Sequence, residues 1–272
     1  MRNETPERDQ IAALRAQLAT LEGPGGGRVR TTSETGVEFS PFSSDFQGLH
    51  DLYADSVADA VAVNAFGLGL ALRTAAGRPI VWGLHDQMAN EAGLPHGPGL
   101  QEMGVDPTGL LLVRVRDMKA LLAVGEDALR SPAVGAVLLS AWGEAKALSL
   151  TASRRLALAA EAGGGALFLA RAGAVPAPSA AETRWAIRAV ASRPLEAGAP
   201  GHPSFLATLL RRRSGGGETK IWPMEWDRDH RSFRPPAPLS GGLVPLAAHR
   251  TAPAPGGRAG DRAGDSGPRR VA

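Results

Sequence analysis

The chain has 272 residues, 43% of them apolar, with 34 glycines, 21 prolines and no cysteine. That length holds one medium domain with a full core plus tails, and the missing cysteines exclude disulfides, thiolate metal sites and a thiol nucleophile. The formal charge of +3 sits at one end: from Pro235 onward five arginines (Arg250, Arg258, Arg262, Arg269, Arg270) face two acids (Asp261, Asp265), so residues 1–234 are balanced and composition alone implies no strongly basic face for nucleic acid.

The first residues, MRNETPERDQ, lack the apolar stretch of a signal peptide. No apolar run is read as approaching the roughly 18 residues of a membrane span. The expectation is a soluble, cytoplasmic protein without membrane contact. Residues 1–22 are read as a docking segment, helical from 6 to 22, with Thr5 as cap, Pro6 in the first helical position, and Glu7 and Asp9 at the positive end of the dipole. Its apolar residues, Ile11, Leu14, Leu18 and Leu21, form a narrow seam. Two heptads are too few for an isolated coiled coil, so the seam must dock on its own domain or on a partner. The GPGGG run and the Ser/Thr/Gly-rich stretch after it make residues 23–44 a flexible linker.

From residue 45 to 234 the pattern alternates strand and helix. GLHDLYA reads as a strand, and the stretch from Asp59 to about Thr74 as a helix. RPIVWGLH (78–85) is the second strand; a loop and a short helix ending at Gly104 lead to a third, LLLVRVR (110–116). Asp117 caps a helix to about Arg130 that buries Met118, Leu121, Leu122 and Leu129. AVGAVLLSAW (133–142) is apolar throughout, as in strands buried on both faces. A helix over 149–162 and the strand ALFLARA (166–172) follow. Such alternation predicts a mainly parallel sheet flanked by helices. FLATLLRRR (205–213), SGGG (214–217) and ETKIWPMEWD (218–227) then read as a C-terminal β-hairpin. Residues 235–272, rich in Pro, Gly and Arg with almost no large apolar side chain, are expected to be disordered.

The turn between the first strand and helix, HDLYADSVADAVA, has the setting of a phosphate loop without its chemistry. G-x-x-x-x-G-K-[ST] closes backbone N–H groups around the phosphates, with Lys on the outer oxygens and Ser/Thr on Mg²⁺. Here Ala54 and Asp59 stand at the glycine positions, Ala60 and Val61 at those of Lys and Ser/Thr, and Asp55 and Asp59 add repulsion.

HDLYA, MGVDPTGLLLVRVRD (103–117), LSLTASRRLALAAEAGG (148–164) with ALFLAR, PSAAETRW (178–185) and IWPMEW (221–226), in this order, resemble the RecA-type core and more closely the ImuA proteins. These are RecA-like relatives found with the bacterial damage-inducible (SOS) mutagenesis machinery. The resemblance implies a RecA-like P-loop-NTPase-type α/β core with a degenerate nucleotide site. It places His85 at the position of the lost catalytic acid and Ser140 at that of the Walker B Asp. Phosphoryl transfer rests on positioning and electrostatic stabilisation, and all three electrostatic parts are missing. The expectation is therefore a chain without catalysis, cofactor or metal. By resemblance it acts as an adaptor of translesion synthesis, binding ImuB, a damage-inducible C-family polymerase and RecA through Ile11, Leu14, Leu18 and Leu21. A SulA-like division inhibitor and a nucleotide-binding ATPase are the alternatives.

Other signals have plain readings. GLGLA (67–71) mimics part of a dinucleotide fingerprint but lies inside a helix, where small residues pack on a sheet. His50-Asp51, His85-Asp86 and Ser140 contain hydrolase residue types without a nucleophile elbow or ligand spacing. A RecA-like strand order would bring His85 and Ser140 near the vacant nucleotide site. Arg154, Arg155, Arg211, Arg212 and Arg213 are the candidates for DNA contact, a solvated surface being the plain alternative. Trp222 and Trp226 share one strand face, as core or as a partner patch.

Overall fold

The computed structural model describes residues 40–42, 46–195, 197, 199–214 and 219–236. The chain divides into two units, Met1–Ser44 and Asp45–Ala272. In the first, the described residues form a turn in which the Phe42 N–H donates to Ser40 Oγ at 3.4 Å. The docking seam (Ile11, Leu14, Leu18, Leu21), most of the linker and nearly all of the C-terminal tail lie outside the described residues.

The second unit starts with strand β1 (Gly48–Ala54) and a 3-10 turn (Val57–Asp59) leading into helix α1 (Ala60–Ala75). Strand β2 (Ile80–His85), helices α2 (Asp86–Ala92) and α3 (Gly97–Glu102), and a second 3-10 turn (Pro107–Gly109) come next. Strand β3 (Leu110–Val115), helix α4 (Met118–Leu129), strand β4 (Ala136–Trp142), helix α5 (Leu150–Gly163) and strand β5 (Ala166–Ala172) complete the alternating part. Strands β6 (Thr183–Ala189), β7 (Ser204–Arg212), β8 (Lys220–Asp227) and β9 (Ser232–Arg234) extend the sheet. The order is β3-β2-β4-β5-β1-β6-β7-β8-β9. The six strands from β3 to β6 run parallel, and β6 to β9 pair antiparallel. This is a mixed α/β fold with a large, mostly parallel sheet flanked by helices.

Central position explains composition. β4 and β5 have neighbours on both edges and helices over both faces, so nearly every side chain is buried and almost all are apolar. On one face α4 and α5 close a core with Leu121, Leu122, Leu129 and Leu156 on Leu49, Val137, Leu139, Leu167 and Leu169. Asp117 caps α4 by accepting the Ala120 N–H at 2.9 Å, and Ser149 caps α5 through Ala152 at 3.2 Å.

On the other face α1 lies close to the strands. A Cβ on Gly67 would stand 2.8 Å from Leu138 Cδ1, and one on Gly69 2.8 Å from Phe233 Cζ and 2.9 Å from Trp226 Cε3. GLGLA is thus a packing surface. Trp226 is fully buried against Phe233, while Trp222 is half-buried beside Trp185 at 5.6 Å between ring centroids.

Three expectations need correction. The stretch Val57–Ala75 is long and apolar enough to cross a membrane by length and composition, although 67% of it is buried in the fold. It is the core helix α1 with its preceding turn. The short helix ending near Gly104 is α3, but the stretch read as loop before it holds a further helix, α2, separated from α3 at Gly93–His96. β6, between β1 and β7, is a strand the sequence reading leaves unassigned, although Trp185 and Ile187 alternate with Arg184 and Arg188.

Candidate functional site

In open α/β sheets ligands bind beyond the carboxyl ends of the parallel strands, where helix N-termini point. The turn from Asp55 to Asp59 occupies that place, between the end of β1 and the start of α1. Several of its donors are already engaged. Asp59 Oδ2 accepts the Ser56 N–H at 3.1 Å and the Ser56 hydroxyl at 2.7 Å. Asp59 Oδ1 accepts the Ala189 N–H from the end of β6 at 2.8 Å. Asp59 is only 6% exposed, so the turn holds a buried carboxylate of its own. The Asp55 N–H is likewise tied to the Ile187 carbonyl at 2.9 Å.

Beyond the turn, apolar side chains fill the strand ends. Ala60 packs with Leu84, Met88, Ala89 and Ala172, and Ala54, Ala92 and Trp142 close around them. Val61 faces outward and is well exposed.

Ser140 is completely buried. Its hydroxyl donates to Asn64 Oδ1 on α1 and accepts from Trp82 Nε1–H on β2, both at 2.8 Å. Leu84 and Ser140 are register partners and share the α1 side, so His85, one residue on, points to the opposite side. His85 and Ser140 thus both stand near the carboxyl ends of neighbouring strands, but a one-residue offset in the pleat turns their side chains to opposite faces. His85 is half-buried, and its Nδ1 is enclosed without a hydrogen-bond partner.

The two His-Asp pairs also separate. His50 stacks on Phe168 at 5.4 Å between ring centroids, with Nδ1 at 2.8 Å from Thr183 Oγ1 and Nε2 at 3.0 Å from the Gln47 carbonyl. Burial pushes its imidazole down to about 4, and the Gln47 bond only partly opposes this. It is a neutral core histidine. Asp86 pairs with Arg114 at 2.5 Å on the surface.

A polar cluster missed by sequence reasoning lies on the α5 side. Asp51, nearly fully buried, accepts from the Ser179 hydroxyl and has Arg184 Nε and Nη2 at 3.4 Å. Burial raises its carboxyl above the ordinary range, against the pull of Ser179 and Arg184. Arg171, also buried, donates from Nη1 to the Tyr53 hydroxyl at 2.9 Å, while its Nε has no hydrogen-bond partner among the described residues. Asp51, Tyr53, Ser153, Arg171 and Ser179 line a cavity of about 20 Å³, room for a water molecule. A charge inside each of two otherwise apolar strands, Asp51 in LHDLY and Arg171 in FLARA, was the available signal.

The arginine candidates meet in part. Ser153 of α5 accepts the Ala180 N–H at 3.1 Å, and Arg211 and Arg213 reach the Ser179 and Ala180 carbonyls at 3.5 Å. The first turns of α5 and the end of β7 therefore border one surface segment, Ser179–Glu182. Arg155 is paired with Glu126 at 2.7 Å and Arg213 with Glu182 at 3.3 Å; Arg154 and Arg212 are exposed. Among the described residues no group of three His, Asp or Glu side chains converges as metal ligands.

Architecture and site define a mixed α/β protein whose helix-capping turn holds its own carboxylate. In sequence the chain is homologous to Protein ImuA of Caulobacter vibrioides, in two strains, at 35% identity over 155 residues, covering 51% of this chain and 57% of that protein. It thus spans little more than half the length of those relatives. No family model matches. Among solved structures it is similar to SulA from Pseudomonas aeruginosa, with a TM-score of 0.36 and 23% identity, covering 46% of this chain and 98% of SulA. A likeness at that level decides nothing about function.

Proposed function

We propose that the chain is a non-catalytic, RecA-like adaptor of damage-induced, error-prone translesion synthesis. The observation that carries this reading is the 35% identity to Protein ImuA. The RecA-like assignment is supported by the turn joining β1 to α1 at the carboxyl edge of the parallel strands. The non-catalytic reading is supported by the Asp59 carboxylate on the donors of that turn, and by Ser140 locked between Trp82 and Asn64. A phosphate would have to displace a buried carboxylate and then find no lysine.

The chain acts through contacts with ImuB, a C-family polymerase and RecA, through the apolar seam Ile11, Leu14, Leu18 and Leu21. In a host lacking its own copy, the wild-type gene should restore ultraviolet-induced mutation. Leu14→Asp with Leu18→Asp should not restore it, although the protein accumulates normally. Equal mutation frequencies with and without the gene would overturn the functional reading. Full restoration by the double variant would remove the seam from it.

A further inference from the structure

The two edges of the sheet are built differently. β9 is three residues long, and its Arg234 is tied to Asp227 at 3.0 Å and Glu225 at 3.6 Å. Short length and edge charge are devices that discourage pairing with other chains. β3, at the opposite edge, is Leu-Leu-Leu-Val-Arg-Val. It pairs only with β2 among the described residues, in unbroken register from Leu110 to Val115. Among the described residues no strand pairs with its outer row of N–H and C=O groups, and it carries neither proline nor bulge. Leu111 and Leu112 are 59% and 39% exposed and point to opposite faces. Arg114 is half-exposed on Asp86, and Arg116, at the end of the strand, makes no ion pair among the described residues.

We propose that β3 is a docking edge for an extended segment of a protein partner, apolar beside Leu111 and Leu112 and acidic beside Arg116. Backbone hydrogen bonds would hold such a segment as an added strand, with side chains selecting it. Both faces at the leucines lack apolar cover among the described residues, and Arg116, unlike Arg114 on Asp86, has no acid beside it there. A second copy of the chain fits less well. Antiparallel self-pairing sets residues of like parity opposite each other, which places Arg114 of each copy beside Leu110 or Leu112 of the other and brings Arg116 no acid. The adaptor reading supplies the class of partner and the edge geometry supplies the site.

The test is selection of phage-displayed ten-residue peptides on the full chain. Selected peptides are then titrated against Leu111→Lys with Leu112→Lys, and separately against Arg116→Glu. Both leucines are exposed, so the circular dichroism of the leucine variant should match wild type; Arg116→Glu is a second readout if it does not. The expected result is enrichment of peptides with an apolar run beside an acid. Each variant should weaken them roughly ten-fold or more, about 1.4 kcal/mol. Replacing the peptide acid by lysine should recover binding to Arg116→Glu. No enrichment, or binding that neither variant changes, overturns the proposal. So does a dimer of the chain, seen in sedimentation, that the leucine variant dissociates. Nucleotide binding at the 55–59 turn would sink the adaptor reading while leaving each of these outcomes as it stands.

Discussion

His50 has both ring nitrogens engaged and Phe168 stacked on its ring, so folding favours its neutral form. Its folded value near 4 lies below the ordinary 6.5. The unfolded chain therefore binds more protons, and the contribution of His50 is present above pH 6.5 and is lost as pH falls toward 4. The loss reaches about 3 kcal/mol at the acid end. Urea unfolding across this window should show the slope in wild type and a flatter profile in His50→Phe. Asp51, with its carboxyl raised, favours its protonated folded form, stabilising toward acid and losing that contribution as pH rises, so it partly offsets the His50 slope near the acid end. Ser140 is held at the same scale by neutral hydrogen bonds. Ser140→Ala leaves Trp82 Nε1–H and Asn64 Oδ1 unsatisfied inside the protein. Chemical denaturation should register a loss of about 1–3 kcal/mol. A neutral result would mean that water reaches this network.

Helix α1 shows how an element can be dictated from outside itself. Alanine is a better helix former than glycine by about 1 kcal/mol, so propensity alone favours Gly69→Ala. A Cβ there would meet the Trp226 and Phe233 rings at 2.8–2.9 Å, and these rings are locked against each other at 4.9 Å between centroids. Overpacking should win, with a net destabilisation of about 1–3 kcal/mol in thermal unfolding. The same contrast marks what the chain makes legible. β4 and β5 were readable because burial on both faces leaves an uninterrupted apolar run. β6 was not assigned, because arginines alternate with its buried residues and it follows a Pro/Ala/Ser stretch that reads as loop. The turn at 54–61 was legible as a changed phosphate loop, yet the partner of Asp59 was not. Ala189 lies 130 residues away and meets it only because β6 pairs with β1. Likewise His85 and Ser140 are neighbours in a list of strand ends but are turned apart by the pleat.

At the scale of the molecule, the turn at the carboxyl edge of the parallel strands carries the Asp59 carboxylate, with apolar packing around Met88 beside it. Among the described residues, the surfaces open to solvent include the β3 edge and a groove of about 750 Å³ bordered by Ala58, Val61, Ala62 and Ala65 of the turn and α1 and by Ala189 and Val190 at the end of β6. Under the proposed adaptor role, the molecule is used from its exterior. Calorimetric titration of the full chain with Mg·ATP tests that claim most directly. The account predicts no saturable heat up to millimolar nucleotide, and the same for Asp59→Ala, since removing the carboxylate supplies neither lysine nor metal-binding hydroxyl. Saturable binding of Mg·ATP to the wild-type chain in the micromolar range would contradict it.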